Sequence, residues 1–345
     1  MFRCEHCGAV QAPVDDAWRK QVERIYRAYN TYAAAGGKEQ KVMASGSGAP
    51  DSRSRVLVEW LRSLRLLPEQ GELLDVGCGR GSFLEAFGSL FPDWGLHGTE
   101  FDDKNAAVLA AIPRFKGLQT GRFEEIEGSY SLVSMLHVLE HIENPVQCLA
   151  TLREKGSDNA LLLVQVPDWS SNPFALAIAD HATHFTPEIL ASVARAAGWE
   201  PVAPVTQVVP KELTLLARAS AVAMQGVFAS PGDSASLLTS RLAWLENVRK
   251  QAVATASESN AFGIFGTAVA GTWLAGSCNG KTQFFVDEDT NRIGSTHLGL
   301  PIMSPADVPR GADVFVGLAP VVAERLAQKY ADGPAHFHGV PPLPQ

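Results

Sequence analysis

The sequence has no long apolar run, and this absence excludes a class of protein. No stretch approaches the roughly 18–20 consecutive apolar residues that a membrane-spanning helix needs. The N-terminus also lacks the apolar core of a secretory signal peptide. The 345 residues are enough for two domains, at about 150 residues per domain. The sequence therefore predicts a chain that does not insert into a membrane.

Basic residues are outnumbered and scattered. The chain contains 29 Lys and Arg against 37 Asp and Glu, a formal net charge of −8. No basic run or stripe is present, and clustered positive charge is what nucleic acids and anionic membrane surfaces attract. These features argue against a nucleic-acid or membrane partner.

Cysteine is scarce too. The five cysteines, at positions 4, 7, 78, 148 and 278, form an odd and scattered set. Disulfide frameworks use even numbers of closely spaced cysteines, whereas this usage is typical of a reducing compartment. We therefore expect a cytoplasmic location.

Glycine, by contrast, is concentrated in one informative segment. Residues 73–87 read LLDVGCGRGSFLEAF: an apolar strand ends in Asp75, three glycines follow, and a helical pattern begins. Glycines permit a tight strand-to-helix turn and let a ligand approach bare backbone. The spacing is GxGxG, not the GxGxxG of dinucleotide loops. An ordinary glycine-rich α/β turn is the alternative to a cofactor loop.

A second acid follows where a nucleotide site requires one. Residues 95–103, GLHGTEFDD, predict a strand that ends in Glu100. An acid at the tip of the second strand, about 20 residues after the glycine loop, hydrogen-bonds ribose hydroxyls. Further strands are predicted near 73–77, 130–136, 160–166 and 212–217, separated by helical patterns. This alternation predicts a doubly wound α/β sheet with helices on both faces.

The chain divides into three predicted parts. Residues 1–50 would form a cysteine knuckle and a helical lid, residues 51–220 the cofactor-binding domain, and residues 221–345 a linker helix and a smaller Rossmann-like domain. In the last part a strand, glycine turn and helix (260–276) precede a strand tipped by Asp287, a loop (298–309) and a strand at 313–320. Its glycines miss GxGxxG, which favours a nucleotide-recognising or structural half over an NAD site.

The glycine loop, Glu100 and the segment YSLVSMLHVLEHIENP (130–145) together resemble class I S-adenosylmethionine (SAM) methyltransferases. The resemblance implies SAM as the cofactor. This sequence departs from the family pattern at Ser131, where Asp is common, and at Arg122, where an acid usually lies near the adenine. The residues implied to contact the cofactor are Asp75, Gly77, Gly79, Gly81, Glu100, Phe101, Phe123, Leu136 and His137.

The order of the three parts is similar to that of the nucleotide-sugar C-methyltransferase family. That family binds a structural zinc through two N-terminal CxxC pairs. Here only the second pair is present, with Cys4 and Cys7 as the implied ligands and His6 nearby. Tetrahedral zinc needs four ligands. Either the natural start lies upstream or the metal has been lost.

Candidate catalytic residues come from two histidine-containing segments, HVLEHIENP and IADHATHFTPEIL. Histidine titrates near neutrality, and a neighbouring carboxylate can orient it and raise its basicity. The resemblance implies His181 as the general base, with Asp180 in place of a family Glu. We expect His141 to assist and His184 to orient the loop. Glu140 and Glu143 are expected to face solvent or to lie beside the cofactor.

Three functions remain open. The favoured one is C-methylation of a nucleotide-linked keto-deoxysugar with a His general base, which the small C-terminal half supports. The second is O-methylation of a sugar or another hydroxylated metabolite. A Tyr that the family places before the His pair is absent, since Leu176 to Ala179 are aliphatic, and this favours O-methylation. The third is a SAM-binding scaffold without catalysis, against which the intact loop and Glu100 argue. The expected partner is a small-molecule acceptor, and the oligomeric state is open.

Overall fold

A computed structural model describes residues 1–28, 41–43, 50–220 and 234–344. Its described residues form two compact units. The first contains the described residues up to 171 together with 179–220, and the second contains 172–178 and 234–344. Residues 1–28 belong to the first unit. The predicted boundaries at 50 and 220 remain a prediction, and residues 29–40, which carry part of the predicted lid, lie outside the described ranges.

The first unit is built around a seven-stranded sheet. Its strands are β5 (Gly71–Val76), β6 (Trp94–Glu100), β7 (Phe115–Thr120), β8 (Tyr130–Leu136), β9 (Gly156–Pro167), β11 (Trp199–Pro201) and β12 (Glu212–Ala219). The order is β11-β12-β9-β8-β5-β6-β7. Strands β7, β6, β5, β8 and β9 are parallel, and β12 is antiparallel to both of its neighbours. The five predicted strands are confirmed, while β7 and β11 were not predicted.

Helices cover both faces of this sheet. The helices of the first unit are α1 (Asp16–Ala28), α2 (Arg53–Ser63), α3 (Ser82–Leu90), α4 (Ala106–Ala110), α5 (Pro145–Lys155) and α6 (Pro187–Ala196). In β5, Leu73 packs in one core cluster with α2 and α3, and Leu74 packs in another with α5 and α6. Successive strand residues point to opposite faces, so an unbroken apolar strand feeds both cores. The predicted doubly wound α/β fold is confirmed.

Two small sheets complete the first unit. Strands β1 (Phe2–Arg3), β2 (Val10–Gln11) and β10 (Thr183–His184) form one antiparallel sheet, and β3 (Lys41–Met43) pairs with β4 (Pro50–Ser52). The first of these joins the N-terminus to the segment that carries His184. Within the described residues, no helix combines the length and the apolar character needed to cross a membrane.

The second unit has a sheet of its own. Its elements are α7 (Ser234–Glu258), β13 (Phe262–Phe265), α8 (Val269–Ser277), β14 (Phe284–Val286), β15 (Thr296–His297), β16 (Leu300–Met303), β17 (Asp313–Val316), α9 (Pro320–Lys329) and β18 (His336–His338). The order is β15-β16-β14-β13-β17-β18, and only β15 is antiparallel to its neighbour. A second, smaller Rossmann-like domain was predicted. Residues 300–303, predicted to lie in a loop, are instead a strand, because they pair with β14 and β15.

Candidate functional site

The glycine loop lies between β5 and α3, as predicted. The backbone amides of Gly77 and Cys78 donate hydrogen bonds to the carbonyl of Thr99 at 2.9 and 3.1 Å. Gly77 has φ of +69°, and a Cβ there would lie 2.5 Å from a methyl carbon of Val138. Side chains rarely adopt this backbone conformation, so glycine is required on two grounds. The loop therefore lies directly against the segment that follows β8.

Glu100 closes the loop from the tip of β6. Its Oε1 accepts a hydrogen bond from the backbone amide of Gly79 at 2.5 Å, and its Oε2 accepts one from the amide of Phe101 at 3.2 Å. The side chain of Phe101 is 89% exposed. The structure thus places an acid beside the glycine backbone, and an exposed aromatic residue follows that acid in the chain. Their role in binding the cofactor remains a prediction.

Asp75 lies beneath the loop. It is buried, and its Oδ1 accepts a hydrogen bond from the Ser134 hydroxyl at 2.7 Å. Burial raises the pKa of Asp75 to about 7, against the opposing effect of the Ser134 hydrogen bond, because a carboxylate loses hydration in the interior. Asp75 therefore supports the loop from the core side.

A cavity of about 210 Å³ lies at the carboxyl ends of β6 and β7. Thr99, Thr120, Arg122, Phe123 and Ile126 are among the residues that line it. Phe123 is the residue predicted to lie near the adenine of the cofactor. A larger cavity of about 410 Å³ lies near the amino ends of β5 and β6 and contains none of the candidate residues. Ligands of open α/β sheets bind at the carboxyl ends of the strands, so the smaller cavity is the relevant one.

Leu136 ends β8, and His137 follows it with φ of +57°. The amide of His137 donates a hydrogen bond to the carbonyl of Gln165 at 2.8 Å. Its imidazole lies between two acids, with Nδ1 3.4 Å from Glu140 and Nε2 3.1 Å from Glu212. Burial acts to lower the pKa of His137, but these carboxylates raise it to about 9. His137 is therefore held as a cation in an ion-pair network.

Glu140 does not face solvent, so that part of the expectation is wrong, and the alternative that it lies beside the cofactor stays a prediction. The side chain is 2% exposed, because the turn Leu139–His141 points it into the protein. Burial acts to raise its pKa, but His137, His141 and His181 outweigh burial and lower the pKa to about 2. Glu143, by contrast, is half-exposed and binds Arg19 through two contacts of 3.0 Å. The spacing His137-x-x-Glu140-His141 was the sequence signal for this cluster.

Asp180 pairs with a different histidine from the one expected. Its Oδ2 lies 3.3 Å from Nδ1 of His141, and the same Nδ1 is 3.1 Å from the backbone carbonyl of Asp180. The expected Asp180–His181 pair is thus corrected to Asp180–His141, two residues that are distant in sequence. Burial acts to lower the pKa of His141, but Asp180 and Glu140 raise it. The pKa of Asp180 is lowered, since its pairing with His141 outweighs burial.

His181 and His184 are buried beside this pair. The His181 ring lies edge-on to the His141 ring, with centroids 4.9 Å apart, and its centroid is 5.7 Å from that of His184. Burial lowers the pKa of His181 to about 4 and that of His184 to about 3. Both are therefore neutral imidazoles at neutral pH. The structure brings together the predicted His141, Asp180 and His181, whose catalytic roles remain predictions.

The N-terminal residues hold the histidine loop in place. The amide of Ala12 donates a hydrogen bond to the carbonyl of Ala182 at 3.0 Å, and the Trp18 indole donates one to the carbonyl of Ala179 at 2.9 Å. Trp18 is buried. The loop that carries His181 is therefore anchored on both sides by residues 10–18.

Cys4 and Cys7 lie together in the turn between β1 and β2. The backbone amides of Cys7 and His6 hydrogen-bond to the Cys4 sulfur and lower the pKa of that thiol, whereas burial raises the pKa of Cys7. All five cysteines are free thiols. A turn that directs amides at a sulfur suits a thiolate ligand, and zinc at Cys4 and Cys7 remains a proposal.

Sequence reasoning missed Glu212 and Arg53. Glu212 begins β12, is largely buried, and forms an ion pair of 2.9 Å with Arg53 at the start of α2. Because Glu212 also contacts His137, the two residues extend the charged cluster toward α2. The only sequence signal was an acid that opens an otherwise apolar strand.

Comparisons with known proteins agree with this fold. Residues 52–203 match the family model described as a methyltransferase domain, Methyltransf_23. No curated protein matches the chain significantly.

Solved structures similar to the chain include three with S-adenosylhomocysteine bound. One is PigF, with a TM-score of 0.38, 15% identity and coverage of 43% of this chain and 50% of that chain. Another is the magnesium protoporphyrin IX methyltransferase ChlM from Synechocystis PCC 6803, with a TM-score of 0.37 and 16% identity. The match covers 48% of this chain and 82% of that chain. The third is CalO1, a methyltransferase in calicheamicin biosynthesis, with a TM-score of 0.41, 18% identity and coverage of 58% of each chain.

The residues present fit the predicted cofactor. The bare glycine backbone would hold the amino-acid tail of the cofactor, Glu100 at the tip of β6 its ribose, and the cavity at Phe123 its adenine. The family match covers this whole arrangement. Residues 52–203 therefore match a methyltransferase domain, and the residues at the carboxyl ends of β5 and β6 fit S-adenosylmethionine as its cofactor.

Proposed function

We propose that this enzyme methylates a carbon atom of a nucleotide-linked keto-deoxysugar. The observation that carries the proposal is the convergence of His141, His181 and Glu140, which come from the turn after β8 and the loop before β10. The glycine loop touches Val138, which lies in the same turn region as His141. Groups that can accept and donate protons thus belong to a turn whose Val138 lies against the glycine loop. Sugar carbon methylation needs both kinds of group.

SAM, when bound, supplies a methyl group on a positively charged sulfur. The protein must then create a carbon nucleophile and align it. His181 is neutral at neutral pH and accepts the proton from the carbon next to the keto group. His141 donates a hydrogen bond to the keto oxygen, where negative charge develops. Two histidines whose pKa values are shifted in opposite directions suit these complementary roles.

Asp180 and Glu140 position the two histidines. Asp180 accepts the Nδ1–H of His141, which fixes the ring and leaves Nε2 directed at Glu140, 4.0 Å away. Glu140 stabilises positive charge on any of its three histidine neighbours. The proton taken by His181 would therefore enter a cluster that already holds a compensating carboxylate.

We propose that the second unit recognises the nucleotide part of the acceptor. The strand order of its sheet reverses at β13 and β17, the kind of position where open α/β sheets bind ligands. Asp287, at the tip of β14, lies 3.2 Å from Arg292, which in turn donates a hydrogen bond to Thr267 at 2.9 Å. Contacts to an unreactive nucleotide would supply binding energy that positions the sugar.

O-methylation of a sugar or another hydroxylated metabolite is the second candidate. It is favoured by the aliphatic residues Leu176 to Ala179, where the similar family has a Tyr. His181 would then accept a hydroxyl proton. Mass spectrometry of products formed from labelled SAM and a panel of nucleotide sugars tests the proposal. Label on a keto-deoxysugar nucleotide supports the proposed acceptor, and a fragment that carries the label on a ring carbon supports C-methylation over O-methylation. Turnover restricted to acceptors without a nucleotide contradicts the proposal.

A further inference from the structure

Two loops bring three potential metal ligands together. Glu140 and His141 come from the turn after β8, and His181 comes from the loop before β10. One ligand atom from each residue lies within 4.8 Å of the other two. Among the described residues, this is the only group of three or more His, Cys, Asp and Glu side chains with that property. It includes neither Cys4 nor Cys7.

The carboxylate of Glu140 is incompletely satisfied. Its Oε1 lies 3.4 Å from Nδ1 of His137, but its buried Oε2 has no hydrogen-bond partner among the residues that the structure describes. An unsatisfied buried acceptor is costly, more so when it is charged. A cation bound by Oε2 would remove that cost.

His141 is already oriented as a metal ligand. Its Nδ1 faces the carbonyl and carboxylate of Asp180, and its Nε2 faces Glu140. Metal-binding histidines characteristically donate their second N–H to a carboxylate or carbonyl, which fixes the ring and its tautomer. The neighbouring His181 is held at the edge of this ring by packing. His141, His181 and Glu140 are thus arranged as metal ligands, and Asp180 orients one of them.

We infer that Glu140, His141 and His181 bind a divalent transition-metal ion, such as Zn²⁺, with a fourth position open. Two imidazoles and a carboxylate form a donor set that such ions favour over Ca²⁺ or Mg²⁺. Bonds of about 2.0–2.2 Å at tetrahedral angles place donors roughly 3.3–3.6 Å apart. Since the donors lie within 4.8 Å of one another, each pair must close by at most about 1.5 Å to bind the ion.

The bound ion has a functional consequence. It occupies the ring nitrogens of His141 and His181 that the proposed reaction uses for proton transfer. The ion therefore inhibits methyl transfer, and a chelator restores it. This consequence rests on the proposed function, whereas binding of the ion does not.

Titration of the tag-free 345-residue chain with Co²⁺ tests binding through the visible absorption of the bound ion. A Cys4→Ser, Cys7→Ser background removes thiolate ligands, whose near-ultraviolet bands would otherwise report the cysteine turn. In that background we expect one Co²⁺ per chain. Glu140→Gln and His181→Gln should each abolish Co²⁺ binding, and Asp180→Asn should weaken the affinity for Co²⁺ by about 10- to 100-fold. His97→Gln, at a half-buried histidine paired with Glu72, is the matched control and leaves binding unchanged.

The outcomes separate cleanly, provided that circular dichroism and SAM binding show each variant to be folded. If the background protein binds no Co²⁺, or binds it equally well after Glu140→Gln and His181→Gln, the metal site does not exist. If Co²⁺ binds as expected but does not inhibit turnover, the site stands and the proposed roles of His141 and His181 fail.

Discussion

At the scale of single residues, the protonation of Asp75, beneath the glycine loop, makes the stability of the fold depend on pH. Its pKa in the folded protein is about 7, raised by burial from 3.8. The folded state therefore holds a proton that the unfolded chain releases at lower pH, so this residue makes stability fall as pH rises from about 4 to about 7. The full effect is on the order of 4 kcal/mol, since one pKa unit corresponds to about 1.36 kcal/mol.

Asp75→Asn removes this pH dependence. We expect the melting temperature of the variant, relative to the unchanged protein, to be higher at pH 8 than at pH 5, measured by calorimetry without cofactor. The other titrating groups are common to both proteins and cancel in the comparison. Parallel melting curves across this pH range would show that Asp75 is not held protonated.

The roles of the two central histidines can be separated by substitution. His181→Ala should lower turnover by roughly 10²–10⁴, the usual contribution of general-base catalysis, with SAM affinity nearly unchanged. Asp180→Asn should lower turnover less than His181→Ala does, because Asp180 acts through the orientation of His141. Steady-state kinetics and calorimetry provide both readouts. Near-full activity of His181→Ala, together with loss in His141→Ala, would reverse the assignment.

At the scale of elements, the glycine loop is the part of the proposed SAM site that depends most on backbone conformation. Gly79 has φ of +56° and its amide is bound by Glu100. Gly79→Val should abolish SAM binding, because a β-branched residue avoids this backbone conformation. Its side chain would also fill the space beside the loop where SAM is expected. Gly117→Ala is the control, since an added Cβ on β7 would meet no described atom within 4 Å. Isothermal titration with SAM and with NADH is the measurement. Binding of NADH but not SAM at this loop would overturn the cofactor assignment.

Elements with local signals were predictable, and contacts between distant segments were not. The glycine loop, Glu100 and five strands were recognised because spacing and apolar runs encode them within a few residues. The burial of Glu140 and the pairing of Asp180 with His141 depend on how the turn after β8 meets the loop before β10. That meeting is fixed by residues 10–18, through Ala12 and Trp18, and no local pattern reveals it.

At the scale of the whole molecule, the second unit should serve acceptor binding. Removing residues after 220 would be a poor test, because Phe174 packs edge-on against Trp244 and Trp273 and would be uncovered. Substitution of a single residue in the second unit is a better test than truncation. Arg292→Ala should raise the KM for a nucleotide-linked acceptor by about 10- to 100-fold, the effect of losing a hydrogen bond worth about 1.5–3 kcal/mol. SAM affinity should be unchanged, and Lys281→Ala, at an exposed position, is the control.

If Arg292→Ala methylates its acceptor with an unchanged KM, this residue takes no part in recognising the nucleotide. The proposal that the second unit binds the nucleotide would then lose its most specific support. O-methylation of a smaller metabolite would become the better-supported function.

The central claim is methyl transfer from SAM to a carbon of a nucleotide-linked keto-deoxysugar. It is tested most directly by supplying SAM labelled with ¹³C in the methyl group and recording the carbon–proton correlation spectrum of the product. We predict a methyl signal at the aliphatic position of a carbon-bound methyl group, coupled to the sugar ring carbons. A signal at the position of a methyl ether would contradict the claim and establish O-methylation.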